Sequence, residues 1–371
     1  MGCETCRQKE PEATFPLENN EEKNPEEKEN FLTTFNTNLP TFGQYYQSDL
    51  DTLISKQIQD YIAENPLQIN QEYFEDLNGY DVNPVEFKNG NIYQGGWNKN
   101  LKMEGQGKLY LKEGNVFVQG IWKNGDLIYA RIFISSDDLF DIYQGEMKDS
   151  NFNGEGKYIE SNGQIYEGDF INGEKNGNGK IIFKDGTIYE GQIEKGELKG
   201  EGKMIWTNGY EYLGNFAGNK LEGKGKLKGP NNETYEGEFS NNLFSAKGIY
   251  TFQNGNIYEG QFEYGVKKGK GVFKCLNKYE YEGDWDNDQP CGVGKLYTWN
   301  KNGIIKSSWR YGKIMEDPCY EKGTQDDFEG IDFNLVIDEM KLNIKDLSNL
   351  VNSEIQTTQY RPGSEPSFLD D

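Results

Sequence analysis

Short runs of alternating apolar and polar residues fill the middle of this chain, and Gly/Asn-rich stretches separate them. The run pattern is clearest in the unit 166–188. The residues that share its apolar phase are Tyr166, Gly168, Phe170, Gly177, Gly179, Ile181 and Phe183. A period of two predicts β-strands with one apolar face. Because Asn172-Gly173 and Asp185-Gly186 supply residues that accept positive φ, each unit is predicted to be a β-hairpin.

The hairpin unit recurs along the chain at a fixed spacing. Seven Tyr residues open successive units at intervals of 23 residues, namely Tyr143, Tyr166, Tyr189, Tyr212, Tyr235, Tyr258 and Tyr281. Two earlier units begin at Tyr93 and Val118, each spaced by 25 residues. The second is degenerate, since VQGIW (118–122) lacks both the Tyr and a following Gly-x-Gly. About nine units over 92–313 are therefore predicted, joined into one antiparallel meander.

The repeated residues resemble the MORN repeat family. Its signature Y-x-G-x-[FW]…G-x-G-x appears here as YEGDF…GNGK from Tyr166 and as YEGDW…GVGK from Tyr281. Ala246 replaces the first Gly of the pair in one unit. The resemblance implies an all-β repeat array, an elongated single-layer twisted antiparallel meander of MORN β-hairpins with a shallow concave groove.

Aromatic residues share the apolar phase with the glycines, which leave room for their rings. An aromatic surface with no second layer over it is expected to meet a partner. We therefore expect the ring bases to pack and the ring edges to receive a helix or peptide, from a protein partner or by self-association. The predicted partner groove comprises Trp97, Tyr143, Tyr166, Phe170, Tyr189, Tyr212, Phe216, Tyr235, Phe239, Tyr258, Phe262, Tyr281 and Trp285.

Charged residues occupy the opposite phase and are predicted to lie on the solvated face. A Lys follows most Gly pairs, as at Lys180, and a Glu lies within most Y-E-G triplets, as at Glu190. Cross-strand pairing is one interpretation. Anionic-lipid or phosphoinositide binding, often proposed for the family, is the other. Its best candidates are the two denser patches, Lys220, Lys224, Lys226, Lys228 and Lys267, Lys268, Lys270.

The first six residues suggest a lipid anchor. Loss of Met1 would expose Gly2 for myristoylation, although Cys6 stands where Ser or Thr is usual. Because one acyl chain binds membrane only marginally, palmitoylation of Cys3 or Cys6 would be the second signal. A coincidental Gly2, or a metal or redox Cys-x-x-Cys, are the alternatives. Residues 1–46 are interpreted as this acylation signal and a disordered acidic spacer.

Two short amphipathic helices are predicted to flank the array. Within the lead-in 47–91, a helix over 48–64 would have Ser48 as its N-cap and end at Asn65-Pro66. After an acidic linker at 314–330, apolar residues recur every three or four positions over 331–358, before a flexible tail at 359–371. This second helix is expected to cap the open sheet edge or lie in the aromatic groove. Partner docking or dimerisation is the alternative.

Charge and composition narrow the function classes. The net charge of -23 lies mostly at the ends of the chain, and the array is nearly neutral. Nucleic acid is therefore not an expected partner. The chain has no His, which removes His-based catalysis and the commonest metal ligand, and no cofactor or metal is expected. No secretory signal or membrane span is evident, which favours an intracellular protein with reduced thiols.

These observations predict a non-catalytic scaffold or adaptor, held at the cytoplasmic face of a plasma, ciliary or cortical membrane by its acylated N-terminus. The first alternative is a structural component of cilia, similar to radial-spoke-head proteins, or of the cortical cytoskeleton. Lipid binding by the repeat lysines is the second. Similar repeats stand beside lipid kinase and methyltransferase domains, but the flanks here are too short for either, so an enzyme is not expected.

Overall fold

The computed structural model describes residues 50–67, 80–81, 84–136, 139–298, 303–315, 319–322 and residue 340. The predicted acylation residues Gly2, Cys3 and Cys6, the N-terminal spacer and the C-terminal tail lie outside these residues. So do most of the acidic linker and all of the predicted 331–358 helix except Met340, which has helical backbone.

The described residues form one 3₁₀ helix, Leu50–Leu53, one α-helix, α1 (Lys56–Glu64), and 23 strands. The first strands are β1 (Tyr80–Asp81), β2 (Val85–Glu86), β3 (Ile92–Trp97), β4 (Met103–Leu111), β5 (Val116–Lys123), β6 (Asp126–Ser136), β7 (Leu139–Lys148) and β8 (Asn151–Ile159). The middle strands are β9 (Ile165–Ile171), β10 (Glu174–Ile182), β11 (Ile188–Glu194), β12 (Glu197–Ile205), β13 (Glu211–Ala217), β14 (Lys220–Lys228), β15 (Thr234–Ser240) and β16 (Leu243–Thr251). The last strands are β17 (Ile257–Glu263), β18 (Val266–Cys275), β19 (Tyr279–Asp286), β20 (Gln289–Thr298), β21 (Ile304–Arg310), β22 (Lys313–Ile314) and β23 (Cys319–Lys322).

The strands form one long, open antiparallel meander. From β3 to β21 every strand pairs with the next along the chain, as β9 does with β10 and β10 with β11. At one end β1 and β2 both pair with β3, and at the other β22 and β23 both pair with β21. The predicted fold class is confirmed. Local hairpins suffice for this topology because each strand needs only its sequence neighbours.

A β-bulge at the first Gly of each pair interrupts the register. In the pairing of β9 with β10 the register shifts between Lys175 and Gly179, and Gly177 has φ +72°. Ala246 occupies the equivalent position with φ +48°, in the left-handed region that a Cβ disfavours. Among the seven units spaced by 23 residues, this one departure from Gly therefore carries backbone strain.

We expect Ala246→Gly to raise the free energy of unfolding by about 0.5–1 kcal/mol. The relief of left-handed strain, about 1–2 kcal/mol, exceeds the added entropy of the unfolded chain. Urea unfolding midpoints measure the change. Gly223→Ala is the reciprocal control, because Gly223 has φ +67° and its nearest neighbour, Asn215 Cβ, would be 3.8 Å from an added methyl. If the wild type, Ala246→Gly and Gly223→Ala all unfolded with the same free energy, the strain argument would be contradicted.

The N-terminal helix begins later than the sequence predicted. Ser55, not Ser48, is the N-cap of α1, and its Oγ accepts a hydrogen bond from the Ile58 amide at 3.3 Å. A side-chain hydrogen bond joins the preceding 3₁₀ helix to α1, since Gln59 Nε2 donates to the Asp51 carbonyl at 2.9 Å. The predicted end is confirmed, because the Asn65 amide bonds to the Tyr61 carbonyl and Pro66 follows.

This helix covers the outer face of the first strands. Leu50, Ile54 and Ile58 form a second buried cluster with Ile92, Phe117, Phe133 and Ile142. Their sequence neighbours Tyr93, Val118, Ile132 and Tyr143 belong to the main core on the other face. The second unit is therefore degenerate for a reason: its strands are apolar in both phases because both of their faces are buried.

Two polar contacts fix the ends of this lead-in on the sheet. Lys108 Nζ pairs with the Asp51 carboxylate at 2.7 Å. Arg131 Nη1 donates to the carbonyl of Asn65, the helix C-cap, at 2.5 Å. Arg131 is itself buried and is oriented by Gln144. In the described part of the chain, the sheet thus has one extended aromatic face, and a helix covers the opposite face at its N-terminal end.

Candidate functional site: the aromatic face

The face that carries the repeated Tyr residues, here called the aromatic face, is built on pairs of glycines. Tyr166 lies against Gly168 and Gly179, which face each other across β9 and β10. A Cβ on Gly168 would be 2.6 Å from the Gly179 Cα and 2.7 Å from the Tyr166 hydroxyl. That hydroxyl donates to the Asp169 carbonyl at 2.7 Å. The Tyr-x-Gly spacing is therefore a steric requirement, because only Gly leaves room for the ring.

Edge-to-face contacts link the rings from one repeat to the next. Tyr212 contacts Phe216 of its own strand at 5.2 Å between ring centroids, nearly perpendicular. It contacts Phe239 of the following repeat at 5.1 Å. The same pattern joins Tyr235 to Phe262 and Tyr258 to Trp285. Aromatic packing therefore extends along most of the array, with Met147 and Ile193 in place of the second ring in two units.

The structure brings all thirteen predicted groove residues to this face, but it does not leave their rings open. Their side chains are only 0–8% exposed. The expectation of uncovered ring edges was wrong in this respect. A second column, nine residues after each Tyr, packs over the rings: Phe152, Lys175, Leu198, Leu221, Phe244, Lys267 and Pro290. Phe152 stacks on Tyr143 at 3.7 Å, and Phe244 stacks on Tyr235 at 3.8 Å.

Sequence reasoning missed this column, although its spacing is regular. The interval of nine places each member directly after the hairpin turn, in phase with the Phe of the preceding strand. Two of its members are lysines where the others are apolar. At those two positions, a charged side chain replaces an apolar one on the aromatic face.

Lys175 is the first buried lysine. Its Nζ lies 3.3 Å from Glu160 Oε1, and both side chains are largely shielded from solvent. The ammonium also lies 5.5 Å from the ring centroids of Tyr158 and Tyr166. A partly buried carboxylate and two π faces thus compensate the buried charge.

Lys267 is the second, and it is fully buried. Its Nζ lies 4.8 Å from the Trp285 ring centroid and 5.6 and 5.7 Å from those of Phe252 and Tyr258. The ammonium donates a hydrogen bond to the Met340 carbonyl at 2.8 Å. Burial lowers the pKa of Lys267 to about 8, opposed by the nearby Asp288 carboxylate. The prediction that Lys267 belongs to an exposed lipid patch is therefore wrong, because its side chain points into the aromatic face and not toward solvent.

The charged residues that alternate with the aromatic positions lie on the opposite face, here called the charged face, and many form ion pairs. Lys180 pairs with Glu190 at 2.8 Å and Lys226 with Glu236 at 3.1 Å. The predicted cross-strand charge pairing is therefore confirmed for these two residue pairs. The H-bonded ion pair raises the pKa of Lys180 and lowers that of Glu190. Solvent screens exposed pairs of this kind, so each contributes little to stability.

The remaining lysines of the two predicted lipid patches lie on exposed positions. Lys268 pairs with Glu263 at 2.6 Å and Lys270 with Asp284 at 2.7 Å. Lys220 donates to Asn241, and Lys224 faces Glu238 across the strands. Lys228 faces Glu211 and Thr234. Lipid binding by these residues stays a prediction, with acidic neighbours opposing it.

Within the residues that the structure describes, no group of three or more Cys, Asp or Glu side chains could hold a metal ion. No helix in the same part of the chain is long and apolar enough to cross a membrane.

Comparison with solved structures gives only weak likenesses. The TCP10c domain of Drosophila melanogaster Sas-4 is 14% identical, with 53% of this chain and 99% of that chain covered and a TM-score of 0.20. The G-box domain of the microcephaly protein CPAP is 11% identical, with 63% and 100% covered and a TM-score of 0.21. A virginiamycin B lyase from Staphylococcus aureus is 12% identical, with 67% and 87% covered and a TM-score of 0.13. TM-scores this low support no functional argument, and no curated protein sequence matches the chain.

The family comparison agrees with the geometry. The model of the MORN repeat matches residues 93–116, 143–165, 166–188, 189–209, 212–234, 235–257, 258–277 and 281–301. These eight matches omit the unit that begins at Val118, whose strands are buried on both faces. The MORN repeat is a non-catalytic repeat family, so the eight matches support a repeat scaffold over this region. With its repeated hairpins, glycine pairs and aromatic face, the chain belongs to the MORN-repeat proteins.

Proposed function

We propose that this protein is a non-catalytic adaptor that binds a protein segment on its aromatic face and is tethered to a membrane by N-terminal acyl groups. The observation that carries the binding role is the contrast between the two faces. The aromatic face is one continuous apolar cluster from Val85 to Trp309, and Met340, which lies outside the sheet, is buried against it, whereas charges on the other face neutralise one another in pairs.

This contrast favours protein over lipid as the ligand of the sheet. Anionic lipid needs a concentrated surplus of positive charge, and the array is nearly neutral, with Lys180, Lys226 and Lys268 each paired to a carboxylate. An apolar segment needs only a complementary apolar surface. Membrane attachment is therefore assigned to Gly2 and to Cys3 or Cys6.

The tether is tested by fractionating cells that express the wild type, Gly2→Ala, or the double variant Cys3→Ser/Cys6→Ser. We expect wild type in the membrane fraction, Gly2→Ala in the soluble fraction, and the double variant largely soluble, because one acyl chain gives only marginal binding. A Lys228→Ala variant controls for lipid binding by the sheet. Identical fractions for all variants would contradict the tether.

The second candidate is a component of cilia or of the cortical cytoskeleton. The observation that favours it is the open meander itself, a long surface with many equivalent binding positions. In that case all variants would sediment together with detergent-insoluble cytoskeleton, whether or not Gly2 is present. The same fractionation therefore distinguishes the two candidates.

A further inference from the structure

Met340 is the starting point, because it lies far along the chain from the strand it contacts. Among the described residues, it is the one member of the aromatic-face cluster that lies outside the sheet and its turns. It has helical backbone and is fully buried. Met340, from the C-terminal part of the chain, therefore sits on the aromatic face.

Lys267 provides the polar contact for Met340. Its Nζ donates to the Met340 backbone carbonyl at 2.8 Å, and this bond is buried. A backbone carbonyl has two lone pairs, so it can accept a hydrogen bond from a side-chain donor such as an ammonium group. The rings of Phe252, Tyr258 and Trp285 surround the ammonium within 6 Å and stabilise its charge.

The position of Lys267 in the repeat makes this contact selective. In the column nine residues after each Tyr, the nearest members toward the array centre are Phe244, Leu221 and Leu198. These side chains offer no donor, so only Lys267 can bond to a carbonyl at this part of the column. Lys175, at the equivalent position four repeats away, is paired with Glu160.

We propose that the Lys267 pocket is a docking site for a methionine-anchored helical segment, and that the segment carrying Met340 is its intramolecular occupant. An external segment that uses the aromatic face must then displace it. This inference deepens the proposed function, because it concerns the same face and rests on that face being a binding surface. The occupant is identified by the Met340 contacts and by the apolar periodicity of 331–358.

Peroxide footprinting of the full chain tests the docking at Met340 directly. Methionine oxidation follows exposure, and the chain contains its own standards. Met315 is 54% exposed, whereas Met204 and Met147 are buried in the sheet. We expect Met340 to oxidise at the rate of Met204, about 10-fold or more slower than Met315. Oxidation of Met340 as fast as Met315 in the wild type would overturn the proposal.

The role of Lys267 is tested by Lys267→Glu, which places an anion against the Met340 carbonyl and Asp288. We expect Met340 to oxidise about 10-fold faster while Met204 stays protected. Lys268→Glu is the matched control, since it makes the same charge change one residue away on the charged face. Unchanged Met340 protection in Lys267→Glu would refute the role of the pocket.

If Lys267→Glu also exposes Met204, the sheet itself has been disrupted, and a less disruptive variant is needed. Lys267→Leu removes the donor but introduces the side chain found at Leu198 and Leu221, so the sheet accommodates it. We expect Met340 oxidation to rise about 3-fold or more, because the buried carbonyl loses its partner. Full protection of Met340 in this variant would count against the pocket.

A binding measurement separates failure of this inference from failure of the proposed function. The probe is a fluorescent peptide of residues 331–358, added to the full wild-type chain or to Met340→Ser, in which the site is intact and its occupant weakened. We expect binding to Met340→Ser at least 10-fold tighter than to wild type. If Met340 is protected in the wild type but neither chain binds the peptide, intramolecular docking stands and the proposed binding of external segments fails.

Discussion

Gly168→Ala is expected to lower the free energy of unfolding by about 3 kcal/mol or more, a large effect for one methyl group. The added Cβ would lie 2.6 Å from the Gly179 Cα and 2.6 Å from the Asn178 carbonyl oxygen. Both are backbone atoms of the neighbouring strand and cannot rotate away. The strands must separate or Tyr166 must leave its place over the glycines, and either change breaks the aromatic row.

The matched control is Gly173→Asn in the same unit. Gly173 lies in the hairpin turn with φ +87°, and an added Cβ there would meet nothing within 4 Å. Because Asn accepts left-handed backbone better than other L residues, we expect a loss below about 1 kcal/mol. Chemical unfolding followed by far-UV circular dichroism measures both variants. Equal losses would show that turn conformation, and not the glycine pair, limits stability.

Raising the pH above 10 is expected to unfold the array cooperatively. Burial raises the pKa of six tyrosines above the ordinary value of 10, namely Tyr189, Tyr212, Tyr235, Tyr250, Tyr258 and Tyr281. The unfolded chain therefore releases these protons before the folded chain does. The stabilising difference is fully present below pH 10 and is lost as the pH rises above it. At pH 11 the loss is on the order of 8 kcal/mol, at about 1.4 kcal/mol for each tyrosine.

Tyrosinate absorbance at 295 nm and far-UV circular dichroism, recorded together, check this expectation. The part of the absorbance change that comes from the buried tyrosines should occur at the same pH as the loss of the sheet signal, because ionisation of a buried tyrosine requires unfolding. Tyr212→Phe retains the ring but has no ionisable hydroxyl. It should therefore lower the number of protons released on unfolding, read from the pH dependence of stability, by about one. Smooth tyrosine ionisation with the sheet signal intact would contradict the coupling of burial to ionisation.

Much of the fold follows from local sequence. Tyr166, Gly168 and Phe170 share a phase, Asn172-Gly173 forces a tight turn, and the 23-residue interval repeats both signals. Since each hairpin pairs only with its neighbours, local patterns were sufficient to predict the meander and the charge pairs such as Lys180 with Glu190. The alternation also placed all thirteen groove residues on one face.

Sequence alone did not determine what covers each face. Val118 and Phe117 alternate like any strand, and only the docked α1 explains why both are buried. The start of that helix at Ser55, not Ser48, depends on contacts from Asp51 to Lys108, which are 57 residues apart. Long-range packing of this kind leaves little local signal, because it selects among positions that are each locally acceptable.

Lys267 gives the clearest example of a residue whose environment is set by tertiary packing and not by local sequence. Its charge and its neighbours Lys268 and Lys270 predicted a solvated basic patch, because a lysine is rarely buried, although its position nine residues after Tyr258 is apolar in most other repeats. Tertiary structure decided the matter, since the bulge at Gly269 and the hairpin register turn Lys267 into the rings of Trp285 and Tyr258. The repeat array was determined by periodic local sequence, whereas the occupancy of its aromatic face was decided by a contact 73 residues away at Met340.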